Sequence, residues 1–262
     1  MADREPATTP GSEPTDQGPA PDYDPNRTGW VPPQAMPPRK PSPFRSARTR
    51  ARLLVGLLAA NVVLAIISAV ISAWGKVVFR DFEAGAAGIP DLDRWDAAFG
   101  LESTVGLATF VAAGFAWLAW SSRTVDNEDG LGIGPSKVTP ALAIAWWFLP
   151  IANLIMPYLV HREIYQRYHQ GLVVGTGIVT LWWLVYIGCN LFGFFVAWIW
   201  LPAITFPELQ SGLTLFAIAG LANALSGMIA ITMVRRIQAR ADVLAVSGPS
   251  MPLPIPGVAP SA

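Results

Sequence analysis

Residues 141–170 read ALAIAWWFLPIANLIMPYLVHREIYQRYHQ, and how this stretch meets the bilayer decides the topology of everything after it. It opens as apolar as a membrane span, meets Pro150 and Pro157, and closes in a cationic run. Each proline removes a backbone donor and crowds the preceding turn, so residues 141–149 form a piece too short to cross. Pro157 suits the first position of a new helix. From there Val160, Ile164 and Tyr168 recur at helical spacing, with Arg162, Gln166 and His169 on other faces, as expected of a helix lying in the membrane interface. Broken backbone at membrane depth must be surrounded by protein or water. Asn153, between the prolines, is the side chain expected to satisfy the freed carbonyls.

The surrounding chain has a membrane protein's composition: 52% hydrophobic residues, 11 tryptophans and 14% charged residues among 262. Apolar runs at 53–74, 101–120, 178–200 and 213–234 each have about the 20 residues needed to cross a core of about 30 Å. Trp74, Trp117 with Trp120, Trp182 with Trp183, and Trp198 with Trp200 lie near their ends, where interfacial aromatics anchor. If residues 141–160 also crossed, an inner amino end would put Arg162, Arg167, Arg235, Arg236 and Arg240 outside, against the positive-inside rule. If the segment enters and returns, those arginines share the cytoplasmic side with Arg123 and Lys137. Only Lys76, Arg80 and Arg94, in an acid-rich loop, then lie outside, and residues 202–211 carry no Lys or Arg. The expected fold is an all-α membrane protein with four transmembrane helices plus a proline-broken third hydrophobic segment, re-entrant or interfacial. Five spans are the alternative, because neighbouring helices can re-satisfy a kinked one.

Half of the 24 prolines precede residue 44. Residues 1–50 have too little apolar surface to offset ordering entropy and read as a disordered tail, basic near the membrane; residues 241–262 read as a second. Arg45, Arg48, Arg50 and Arg52 are expected to contact anionic headgroups of the inner leaflet, each worth about 1 kcal/mol. The blander reading makes them a topology signal alone. Together these features predict a multi-pass protein of the cell membrane with a cytoplasmic amino terminus.

Chemistry is sparse. No HExxH, GxSxG or phosphate-cradling motif is present, and the lone Cys189 cannot form an internal disulfide. No metal or cofactor is expected. DLDRWD at 91–96 lacks the glycine and distal Glu of a calcium loop, and GLGIGP at 130–135 reads as turn chemistry. Glu102 falls at the start of a span, where it can reach water, so no span holds an unambiguous buried charge of the kind that marks ion pathways. His161, Arg162 and Glu163 form the one polar cluster beside the break. A hydrolase could use its His and Glu as acid and base, but without a nucleophile or metal partner a solvated helix end is the stronger reading. Gly220 and Ala224, with Asn223 and Gly227, offer a small-residue stripe for close helix packing, within the subunit by default or between copies.

Residues 147–154, Trp147-Phe148-Leu149-Pro150-Ile151-Ala152-Asn153-Leu154, followed by Pro157, Val160, Glu163 and Ile164, resemble the signature of the bacterial membrane proteins catalogued as domain of unknown function 4328. The resemblance spans roughly residues 55–240. It implies a multi-span membrane protein, mainly actinobacterial, with no established activity, and it carries no catalytic or binding residues. The expected function is a non-enzymatic membrane scaffold or lipid-interacting component. Its partners would be the bilayer, anionic inner-leaflet lipids, and a second copy or another membrane protein. The alternative is a channel or transporter whose pathway is lined by Pro150, Asn153 and Pro157, as broken helices line sites elsewhere. Nucleic acid is disfavoured, because the basic residues are juxtamembrane rather than interleaved with exposed aromatics on a folded surface.

Overall fold

The computed structural model describes residues 43–170, 172, 174–200 and 205–247. Residues 1–42 and 248–262, most of the two expected tails, lie outside that range. The described chain is helical: α1 (Arg48–Glu83), α2 (Ile89–Gly130), α3 (Pro140–Ala145), a 3₁₀ turn (Ala152–Leu154), α4 (Met156–Tyr168), α5 (Gly177–Trp200) and α6 (Phe206–Ser247). Four of these, α1, α2, α5 and α6, are long and apolar enough to cross a membrane. They contain the four expected spans, but three of them run well past the apolar core. Helices α2 and α6 have 42 residues each. At the α-helical rise per residue, that makes each about 63 Å long. The acid-rich stretch expected as a loop is therefore mostly helix, and Asp91, Asp93 and Asp96 stand on the first turns of α2. At its other end α2 carries residues 121–130 beyond the apolar run 101–120. Helix α6 continues to Ser247, well into the stretch expected as tail.

The third hydrophobic segment does not form one helix. α3 stops at Ala145, and residues 146–155 proceed through short-range turns: Trp147 N–H donates to Ile144 O, Phe148 N–H to Ala145 O, and Ile155 N–H to Ala152 O. α4 then starts at Met156, with Pro157 in its first turn, where the missing donor costs nothing. Its buried stripe is Pro157, Val160, His161, Ile164, Tyr165 and Tyr168, while Arg162 and Gln166 are exposed, which matches the expected amphipathic pattern. Facing outward from the break are Phe148, Leu149, Ile151, Leu154 and Ile155, with Ile151 82% exposed. An exposed apolar lobe of that extent suits lipid or a protein partner better than water.

Antiparallel neighbours build the bundle. α1 packs against both α2 and α6, and α5 packs against α6 while its Trp182 stacks on Trp117 of α2 at 4.9 Å. One end is the hairpin end, where α1 turns into α2. The other is the capped end, where α3 and α4 close over the bundle. The small-residue stripe of α6 faces α1: a Cβ on Gly220 would come within 2.6 Å of Ala65 O, and one on Gly227 within 2.6 Å of a Val62 methyl. That stripe is used inside the subunit. Near the hairpin end Gly75 of α1 lies under the Trp95 indole, whose Nε1 donates to Ile71 O at 3.1 Å, so any Cβ at 75 would overlap the ring. Outward surfaces of the spans are apolar, including Val63, Ile66 and Val70 on α1, Phe110 and Phe115 on α2, and Leu184, Leu191 and Phe194 on α5.

Candidate functional site at the capped end

The polar chemistry gathers at the capped end, where α4 brings His161 onto α2. His161 is fully buried. Its Nδ1 lies 2.7 Å from Pro157 O. A carbonyl oxygen can only accept, so Nδ1 carries the proton. Nε2 is then an acceptor and receives the Ser121 hydroxyl at 3.0 Å. Trp117, Trp182, Trp147 and Trp120 surround the imidazole with ring centroids at 5.1, 5.4, 6.2 and 6.4 Å. Burial pushes His161 down to about 4, against the Pro157 hydrogen bond that favours its charged form. The ring is therefore neutral at physiological pH. The spacing of Ser121 and His161 is that of a nucleophile and its base. With both side chains enclosed, its effect in this state is to tie α2 to α4. The indole N–H groups of Trp117, Trp120 and Trp147 are buried without a protein acceptor among the described residues. These rings contribute apolar area and stacking rather than hydrogen bonds.

The residues singled out in the sequence do not act as one group. His161 points inward, Arg162 is exposed, and Glu163 faces Arg167 at 3.7 Å. The solvated helix end expected at 161–163 is therefore corrected for His161, because α4 lays its apolar stripe on α2 and the imidazole falls within that stripe. Asn153 does not satisfy the freed carbonyls. Its Nδ2 donates to no carbonyl among the described residues, its Oδ1 is buried and unpaired, and the Leu154 carbonyl instead accepts the Trp183 indole N–H at 3.2 Å. Trp147 belongs to the ring cage, Pro150 is exposed, and Pro157 supplies the carbonyl that fixes the histidine tautomer. Trp117, Trp120, Trp182 and Trp183, expected at the lipid interface, are buried in this core, whereas Trp74 and Trp198 do face outward.

A second cluster was not foreseen. Glu128, in the last turns of α2 beyond the apolar run, is fully buried and lies 2.8 Å from Arg167 Nε. The N–H makes no hydrogen bond to that oxygen. Its alignment fails, so this is a charge contact. Arg167 Nη2 donates to the carbonyls of Gly134 at 2.7 Å and Pro135 at 3.0 Å. The α2–α3 turn is thereby pinned, with Gly132 at φ 71° and Gly134 at φ 93°. That is the left-handed region, which glycine enters freely. Burial raises the Glu128 carboxyl to about 7, opposed by the Arg167 charge and then by the Ser136 hydroxyl. Desolvation outweighs the attraction because it penalises the charged form directly. Tyr168 donates its hydroxyl to Thr124 O at 2.7 Å. The signal for both clusters is one stripe on α2: Trp117, Ser121, Thr124 and Glu128 fall at i, i+4, i+7 and i+11.

The four arginines expected at lipid headgroups split into pairs. Arg48 bridges to Asp242 at 3.2 Å, and Arg50 Nη1 donates to Ala119 O at 2.8 Å. The guanidinium groups of Arg45 and Arg52 are exposed with no partner among the described residues. Arg45 is nevertheless held by its backbone: Asn127 accepts from its N–H at 3.1 Å and donates to its C=O at 2.9 Å.

Four helices long and apolar enough to cross a membrane, an exposed apolar lobe and a buried polar cap define the class: a multi-helix membrane protein. Residues 87–239 match the family described as Domain of unknown function (DUF4328), and the chain belongs to that family. The match begins just before α2 and leaves α1 outside, where the resemblance had been expected to start near residue 55. No curated protein and no solved structure matches the chain.

Proposed function

We propose that this protein is a non-enzymatic integral membrane component whose capped end faces the cytoplasm and engages anionic lipid headgroups. The observation that carries this reading is the charge asymmetry between the two ends. Arg45, Arg52, Arg162, Arg235 and Arg236 are exposed at the capped end, and none has an acidic partner among the described residues. The hairpin end instead carries Asp81, Glu83, Asp91, Asp93 and Asp96 around only Lys76, Arg80 and Arg94. Unpaired cations where apolar surface stops are favourably placed against an anionic leaflet. Trp147 of the break packs on His161 while Phe148, Leu149, Ile151, Leu154 and Ile155 face outward, which weighs against the break lining a conduction pathway.

Two measurements test the reading. Lipid adducts counted by native mass spectrometry should favour phosphatidylglycerol over phosphatidylcholine. That preference should fall several-fold when Arg45, Arg52, Arg235 and Arg236 are all changed to Gln, and stay unchanged when Arg80 and Arg94 are. Orientation is read by labelling single cysteines on a Cys189→Ser background: Gln210→Cys should react from outside, and Gln170→Cys and Ser247→Cys only after permeabilisation. No lipid preference, or the reverse labelling, defeats the proposal.

A further inference from the structure

The capped end contains a small polar cavity beside the Glu128–Arg167 cluster, which supplies part of its wall. It holds about 60 Å³ and is walled by Gly132, Ile133, Arg167, Tyr168, Gln170 and Arg240, with Leu131 and Leu244 completing the lining. A single water needs only about 10–15 Å³ by such a measure, so the space accommodates a larger polar group. The two arginines in its wall differ in what they have left to offer. Arg167 is committed to carbonyl oxygens through Nη2 and to Glu128 through Nε. Arg240 spends only Nε, which donates to Tyr168 O at 3.1 Å, leaving both Nη groups without a partner among the described residues. The nearest acid along α6, Asp242, is already taken by Arg48 and by the Gln238 amide. The Gln170 side chain likewise makes no hydrogen bond among the described residues.

Arg236, exposed and unpaired, stands on the same edge of α6 as Arg240. It lies one turn closer to the membrane, about 6 Å along the helix axis. Glu163 faces Arg167 at 3.7 Å and balances its charge, so the net charge left at the cavity is that of Arg240, with Arg236 beside it. A guanidinium with two free amino groups matches two oxygens of one phosphate, the bidentate geometry that makes arginine the preferred phosphate ligand. Helix α6 leaves its apolar run at about Val234, so the cavity opens just beyond the headgroup level.

We propose that this cavity binds one phosphate group, held by Arg240 with Gln170 as a neutral donor and Arg236 guarding the mouth. The proposal deepens the lipid reading above by naming a discrete site within it. The phosphate can belong to a lipid headgroup or be free, and the two are separated by experiment.

Full-length protein in detergent is titrated with dioctanoyl phosphatidylglycerol, with inorganic phosphate and with dioctanoyl phosphatidylcholine, and adducts are counted by native mass spectrometry. Gln170→Glu places a carboxylate in the wall without removing a structural hydrogen bond, and should weaken the phosphatidylglycerol adduct roughly tenfold or more. Arg240→Gln should do the same, and Arg94→Gln, at the hairpin end, should not. An inorganic phosphate adduct with the same variant profile assigns the site to free phosphate; a lipid adduct alone assigns it to a headgroup. Phosphatidylglycerol binding that survives Gln170→Glu and Arg240→Gln but falls with Arg52→Gln overturns the cavity and leaves the lipid reading standing. Equal binding of phosphatidylcholine, indifferent to Gln170→Glu, Arg240→Gln and Arg52→Gln, overturns both.

Discussion

The two ends of the bundle solve the same problem of leaving the bilayer in opposite ways. At the hairpin end the ion pairs are local and wet: Arg80 with Asp81, and Arg94 with Asp91 one turn away, all substantially exposed. The core there is aromatic and apolar, with Trp95 edge-on to Phe79 at 5.0 Å and stacked on Phe99 at 5.2 Å. At the capped end the polar contacts join distant parts of the chain and are buried: Ser121 to His161, Glu128 to Arg167, Asn127 to Arg45. Exposed pairs contribute little because water already solvates both partners. Buried ones are costly to disturb, because removing one partner strands the other. The capped end is therefore the specific end, and the hairpin end a generic closure.

Substitutions should expose that contrast most sharply in the charges. Arg167→Ala strands Glu128 and releases the carbonyls of the α2–α3 turn, and should cost about 3–5 kcal/mol in a reversible unfolding titration. Arg94→Ala should cost at most about 1 kcal/mol in the same assay. Equal losses would erase the distinction between the ends.

Glycines give the next effect and test the hairpin end on its own terms. Gly75→Ala drives a methyl into the Trp95 indole, and Gly220→Ala drives one into the α1 backbone. Each should lower stability by about 1–3 kcal/mol in the same titration. A methyl at Gly114 meets nothing within 4 Å. Gly114→Ala should therefore be neutral or gain up to about 1 kcal/mol from helix propensity.

A subtler signature is the pH dependence that the capped end contributes. In the folded protein Glu128 keeps its proton up to about 7, whereas in the unfolded chain it loses it near 4.5. Its stabilisation therefore declines as pH rises through that window. His161 stays neutral in the folded protein down to about 4, while the unfolded chain takes up a proton below 6.5. Its stabilisation therefore declines as pH falls. Between 4.5 and 6.5 the two slopes oppose. Wild-type stability should be nearly level there. Glu128→Gln should tilt it upward with pH by as much as about 1.4 kcal/mol per unit, and His161→Gln should tilt it downward. A wild-type slope as steep as either variant's would mean that one of the two groups is not buried as described.

The coarse fold was readable because lipid imposes a length: apolar runs of about 20 residues, and a third run cut by Pro150 and Pro157, leave few alternatives. The stripe Val160, Ile164 and Tyr168 was readable for the same kind of reason, a period. What faced the stripe was not. His161 sits beside Arg162 and Glu163 in the chain, yet its partner Ser121 lies 40 residues away, and only the docking of α4 onto α2 brings them together. The tryptophans misled because an indole at a span's end suits the lipid interface and a polar core equally well. Their count and position are alike in both cases, and what separates them is which side of the helix a neighbour covers.

Asn127 grips the N–H and C=O of one residue of the approaching chain, Arg45, much as an adjacent strand would, and the two residues are 82 apart in sequence. During synthesis the first helix must therefore be threaded while its leading segment is still unmoored, and the mooring closes only after the second helix has been delivered. A chain inserted with that segment and residue 127 on opposite faces of the bilayer can never close it. One amide side chain thus acts as a latch that closes only in molecules whose first two helices have both crossed.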